Sequence, residues 1–254
     1  MNKTLPTLAL LAVFASPLAH AAMTDEVQQS ATLRICAPGD YKPFAFMQAD
    51  GQFEGMDVDL IQSLAASLGA KAVWVKTTWA KLMDDFTAGK CDMAAGGISV
   101  TLERQKRAWF STAYMVNGKT PIVRCSDVAR FQTLADIDRP GVRAIANPGG
   151  SNERFARANY KQASLTIHSD NLTIFDEVKQ GRADVFVSEA AEALVQQRMQ
   201  QGLCAVNPER PLQYAENGFL LPKGDTVSKA YVDQWLHLIK ANGEYQRIAD
   251  KWLK

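Results

Sequence analysis

Gly96-Gly97-Ile98-Ser99-Val100-Thr101-Leu102-Glu103-Arg104 is the stretch from which the fold can be read. An apolar run over residues 92–98 reads as a strand, stops in small residues, and passes directly into a helix that carries an arginine. The same alternation continues outward in both directions. Upstream, residues 33–36 read as a strand that stops at Pro38-Gly39. Val58, Ile61, Leu64, Ala65 and Leu68 then recur at helical spacing, with Gly69 just past their end. Residues 72–75 are strand-like and 79–87 helical. Downstream, strands are predicted over 142–146, 165–168 and 185–187, and helices over 151–158, 172–180 and 189–199. The tail reads as two helices meeting near Asn242-Gly243. Strands alternating with helices argue for parallel sheets covered by helices. The two halves share this organisation but not their sequences. The expected fold is therefore α/β with two lobes, each a mostly parallel sheet flanked by helices. Residues 30–119 plus 214–254 would form one lobe and 120–213 the other, with a ligand cleft between them.

The first residues read as an address. Lys3 precedes a mostly apolar stretch over 5–18, and Ala19-His20-Ala21 supplies small residues before a cleavage point, so 1–21 is expected to be a signal peptide for export. The apolar run is short for a membrane span, and no insertion is expected after processing. Formal charge over the 254 residues is +1, which implies neither nucleic acid nor an anionic surface as partner. Hydrophobic residues at 47% suffice for a packed core. Four cysteines would meet an oxidising compartment, where three pairings are open. Cys36 and Cys91 lie in apolar strand-like contexts that suit free buried thiols.

Candidate chemistry sits where strands end. At 96–104, approachable backbone N–H groups, a helix N-terminus and Arg104 suit a carboxylate, which arginine grips through paired hydrogen bonds. The plainer reading makes Thr101 a helix cap and Arg104 a surface ion pair. Asn147-Pro148-Gly149-Gly150-Ser151 repeats the arrangement in the second half, with Ser151 placed to cap a helix. Two such sites, one per lobe, could hold the two ends of one ligand. Asp57 and Asp59 in Gly55-Met56-Asp57-Val58-Asp59 are accounted for as acids near a helix N-terminus. Glu189 and Glu192 lie on one helix face, where the helix dipole favours the ionised form and only burial would oppose it. No hydrolase elbow, phosphate loop or zinc-binding pair is present, and only His168 and His237 lie beyond the leader, so a histidine-rich metal site is not expected.

Together these segments resemble the family 3 periplasmic solute-binding proteins, with 55–60 like that family's signature and Ser99, Thr101 and Arg104 like its ligand-carboxylate clamp. The resemblance implies the two-lobed type II periplasmic-binding-protein fold. Where that family commonly carries an aspartate for the ligand's α-amino group, this chain has Glu189, one methylene longer. Asp40-Tyr41-Lys42-Pro43-Phe44, Thr78-Trp79, Gly118-Lys119-Thr120-Pro121, Asp170-Asn171-Leu172-Thr173, Leu203-Cys204-Ala205-Val206 and Tyr231-Val232-Asp233-Gln234-Trp235 are in addition similar to the cyclohexadienyl dehydratases, an enzyme branch of the superfamily. That likeness implies a periplasmic lyase that converts prephenate to phenylpyruvate and arogenate to phenylalanine without a cofactor. It implies Glu192 as general acid, and Arg104, Ser99, Thr101, Trp79, Asn147, Gly149, Ser151, Phe44, Asp40 and Glu189 around the substrate. It also implies a Cys125–Cys204 disulfide. Asn217 departs from the lysine expected at its position. A non-catalytic receptor handing an amino acid to an ABC permease is the alternative, and a homo-oligomer is compatible with either reading.

Overall fold

The computed structural model describes residues 21–254, so the expected signal peptide lies outside the described residues but for Ala21. Two open sheets organise the chain. The first runs Lys71–Lys76, Thr32–Ala37, Met93–Ala94, Leu220–Leu221, Trp109–Phe110, and its first three strands are parallel. The second runs Ser164–Ile167, Arg143–Ala146, Val185–Glu189, Met115–Arg124, Leu203–Ala205, again with three parallel strands at its start. The later strands add antiparallel pairs. Met115–Arg124 and the returning Gln213–Asn217 pair from Met115↔Asn217 to Lys119↔Gln213, and they carry the chain between the sheets. The predicted crossings near 119–120 and 213–214 fall at the end of this two-stranded ribbon.

Each sheet has its own core. On the first, Leu33, Ile35, Leu60, Ile61, Leu64, Met93 and Phe219 are fully buried together. On the second, Val123, Phe131, Ala144, Val185 and Val187 pack on one face, and Ile122, Ile174, Phe175 and Phe186 on the other. Burying one such aliphatic side chain contributes roughly 1.5–3 kcal/mol, so the apolar spacing of each helix fixes which face meets its sheet. Helix Met56–Ser67 shows this plainly, with Leu60, Ile61 and Leu64 inward. It begins at Gly55, whose φ of 138° and 2.3 Å approach of an added Cβ to the Phe44 carbonyl oxygen leave no room for another residue.

Three local expectations are corrected. Asp57 stands in the first turn of its helix as read, but the helix terminus alone does not account for it. It is fully buried, and its Oδ2 accepts from the Gly96 and Gly97 amides at 2.7 and 2.8 Å and from the Tyr114 hydroxyl at 2.9 Å. The Gly96 and Gly97 N–H groups, read as approachable, are thus already taken. Burial pushes the Asp57 carboxyl up to about 6, against those three donors. Cys36 and Cys91 are joined in a disulfide, because the strand Thr32–Ala37 lies beside Met93–Ala94 and brings their Cα atoms within 5.6 Å. Cys125 and Cys204 form the second disulfide, between neighbouring parts of the other sheet.

Candidate active site

The strands of both sheets end at one shared cleft, and the cleft is shut. Tyr41, Trp79, Gly97, Ser99, Asn147, Gly150, Ser151, Asn152 and Glu189 enclose about 20 Å³, enough for a single water. Hydrogen bonds cross it. Ser99 Oγ and Ser151 Oγ are 3.0 Å apart, and Asn171 Nδ2 donates to the Asp40 carbonyl at 3.0 Å.

Glu189, the last residue of its strand, is 1% exposed and bridges the two sides. Its Oε1 accepts from the Ser99 hydroxyl and lies 3.6 Å from Lys119 Nζ. Its Oε2 accepts from Asn117 Nδ2 at 3.1 Å, Asn217 Nδ2 at 3.0 Å and the Tyr41 hydroxyl at 3.5 Å. Lys119 also donates to Ser151 Oγ at 2.9 Å and to Asn152 Oδ1. Burial lowers the Lys119 ammonium from its ordinary range, and the charge of Glu189 opposes that shift.

Glu192 follows in the first turn of helix Ala190–Met199 and meets different company. It is 1% exposed and takes a short hydrogen bond from Ser188 Oγ. Burial, with the charges of Glu189 and Asp40 added, raises its carboxyl well above the ordinary range despite the Ser188 bond. It borders a flanking cavity of about 170 Å³ shared with Asp40, Lys42, Phe46, Phe175 and Gln196, not the closed cleft itself. Asp40 is raised as well, chiefly by burial, while Trp79 Nε1 donates to it at 2.9 Å.

Several predicted site residues are placed otherwise than expected. Thr101 accepts from the Arg104 amide and caps its short helix, outside the closed cleft. Ser151 is the first helical residue rather than the cap, which is Gly150, and this frees its hydroxyl for Ser99 and Lys119. Phe44 is fully buried under Gly97, where an added Cβ would come within 2.6 Å of its ring, so Tyr41 and Trp79 form the aromatic wall. The Gly149 amide is bonded to Glu153 Oε2 at 2.6 Å, and the residue packs instead against Ala80 across the cleft. Asn147 lines the cleft, its Oδ1 accepting from Asn152 Nδ2 at 3.1 Å. Arg104 is 4% exposed, its Nη1 donates to the Ser99 carbonyl at 2.8 Å, and no carboxylate pairs with it among the described residues. Burial lowers it to about 10, so it stays a cation at neutral pH.

Tyr41, Asn117, Lys119 and Ser188 belong to the site but were given no role from sequence, and Asn152, expected to contribute backbone, contributes its side chain. One signal existed: Asn117 and Lys119 are two apart in an extended run, which puts both on one face of the strand. Among the described residues, no cluster of three or more His, Cys, Asp or Glu could hold a metal ion, and no helix is long and apolar enough to cross a membrane.

The sequence profile of the bacterial extracellular solute-binding proteins, family 3, matches residues 33–254. The chain belongs to that family. It is 49% identical over 252 residues to the cyclohexadienyl dehydratase of Pseudomonas aeruginosa, covering 99% of this chain and 93% of that protein. Among solved structures it matches an ancestral amino acid-binding protein described as a precursor of cyclohexadienyl dehydratase. That match has a TM-score of 0.85 at 31% identity, over 92% of this chain and all of the other. An ancestral cyclohexadienyl dehydratase matches at 47% identity and a TM-score of 0.59, over 92% of this chain and 98% of that one. The solute-binding fold is thus shared by relatives named as binding proteins and relatives named as enzymes.

Proposed function

We propose that the protein is an exported, periplasmic cyclohexadienyl dehydratase, a carbon–oxygen lyase acting on prephenate and arogenate. Residues 30–119 with 214–254 form one lobe and 120–213 the other. The observation that carries this reading is Glu192: a carboxyl 1% exposed, raised well above its ordinary range chiefly by burial, bordering a cavity that it shares with Asp40 beside the closed cleft.

Tyr41 and Asp40 come from one lobe, Ser188 and Glu192 from the other. Parting the lobes would therefore join the small cleft to the cavity in front of Glu192. Arg104 and Ser99 then hold one substrate carboxylate, while Asn147 and the first turn of helix Ser151–Asn159 hold the other end. Trp79 and Tyr41 flank the ring. Glu192 gives its proton to the ring hydroxyl as the carbon–oxygen bond breaks. The ring carboxylate leaves as carbon dioxide, its bonding pair completes the aromatic ring, and water departs. A placed acid contributes ~10²- to 10⁴-fold, the rest coming from positioning in a dry site.

Incubating the purified protein with prephenate at neutral pH and following phenylpyruvate against a no-protein control tests the reading. Enzyme-dependent release supports it. Folded protein that binds an amino acid unchanged, and turns over neither prephenate nor arogenate, would return the chain to the receptor class, with an ABC permease as its partner.

A further inference from the structure

The carboxylate at the centre of the cleft wall already has its acceptor sites filled, and the neighbouring amide and carbonyl oxygens each carry a hydrogen bond. A carboxylate offers about four lone-pair sites, and Glu189 meets Ser99, Tyr41, Asn117, Asn217 and Lys119. Asn152 Oδ1 accepts from Lys119, Asn147 Oδ1 from Asn152, and the Gly97 carbonyl from Asn217 at 3.0 Å. Asp40 Oδ1 accepts from Trp79 Nε1. Donors at the wall and just behind Ser99 are in surplus by contrast. Arg104 has five N–H groups and no carboxylate partner among the described residues. The helix opening at Ser151 brings its first, unpaired N–H groups to the cleft at Gly150, Ser151 and Asn152.

We propose that this cleft selects 2-oxo acids over the matching 2-amino acids, with the Glu189–Lys119 cluster setting the preference. The inference rests on the dehydratase reading and narrows it to prephenate over arogenate. A 2-oxo group is itself an acceptor and suits a donor-rich wall. An ammonium seeking Glu189 would have to displace donors already on that carboxylate and would face the Lys119 charge beside it. Leaving such a charge unpaired out of water is costly enough to predict at least ~10-fold discrimination.

The test compares kcat/KM for prephenate and arogenate, and beside it the calorimetric affinities of wild-type protein for phenylpyruvate and phenylalanine. At least ~10-fold in favour of the oxo acid in both comparisons is expected. Equal or better use of arogenate, or phenylalanine bound as tightly as phenylpyruvate, overturns the inference while leaving the dehydratase reading intact. No turnover of either substrate instead removes that reading. Lys119→Met, checked for folding by circular dichroism, should move the prephenate-to-arogenate ratio toward the amino acid by at least ~5-fold. An unmoved ratio in a folded variant overturns the role given to the cluster. If that variant does not fold, the wild-type binding pair still decides.

Discussion

Glu189 and Glu192 are one helical turn apart and equally buried, yet they end in opposite chemical states of readiness. Glu189 is met by a hydroxyl, a phenol, two amides and an ammonium, so its oxygens are committed as acceptors. Glu192 has one hydroxyl and two neighbouring acids, and burial raises its carboxyl well above the ordinary range. Burial alone therefore does not decide what a carboxyl does in this cleft. The count of donors aimed at it does. Asp57 stands between the two cases, with three donors on one oxygen and none on Oδ1, and titrates at about 6.

The contrast can be broken most sharply at Glu192. Glu192→Gln keeps the shape and loses the proton, and should lower kcat by ~10²- to 10⁴-fold with substrate affinity nearly unchanged. In wild type, kcat/KM should fall as pH rises through the raised pKa of Glu192, because only its protonated form is an acid. That limb should vanish from the residual activity of the variant, and wild-type turnover by Glu192→Gln would remove the residue from the mechanism.

Glu189→Ala attacks the other side. It strands Lys119 and two buried amides, and should cost ~3–5 kcal/mol in urea unfolding. A cost below about 1 kcal/mol would show that the cage contributes little, since an exposed pair is worth no more than that.

Asp57 sharpens the intermediate case. Its carboxyl rises from 3.8 in the unfolded chain to about 6 in the folded one. The folded state therefore binds the proton first. The stability this group adds is full below 3.8 and is lost as pH rises through about 6, roughly 3 kcal/mol over the window. Asp57→Asn should flatten that part of the stability curve, and an unchanged slope would count against the assignment. The smallest effect belongs to Thr101→Ala, which removes a helix cap at about 1 kcal/mol and should leave substrate affinity unmoved. Weakened binding there would return Thr101 to the clamp.

Much of the fold was legible because its elements are punctuated. Gly69 and Gly181 follow the ends of predicted helices, and Asn242-Gly243 separates helices Thr226–Ala241 and Glu244–Leu253. Short central strands were less legible. The run over 92–98 yields only Met93–Ala94, because Gly96 and Gly97 turn toward Asp57 instead of continuing the ladder. In the site, residues at strand ends were found from their spacing. Lys119 and Asn117 were not, since no local pattern says that a polar residue inside a strand will face a partner seventy residues on.

Periodicity and turn residues, which act within a few positions, thus determined the two α/β halves and the strand ends where chemistry could gather. The sequence also placed Glu192 in a helix's first turn, where the dipole favours its ionised form. Only the tertiary structure decided that burial overrides the dipole, that Glu189 is spent on five donors, and that Cys36 meets Cys91. Each of those outcomes depends on groups brought together from distant parts of the chain, and their distances and desolvation exist only once both lobes have packed.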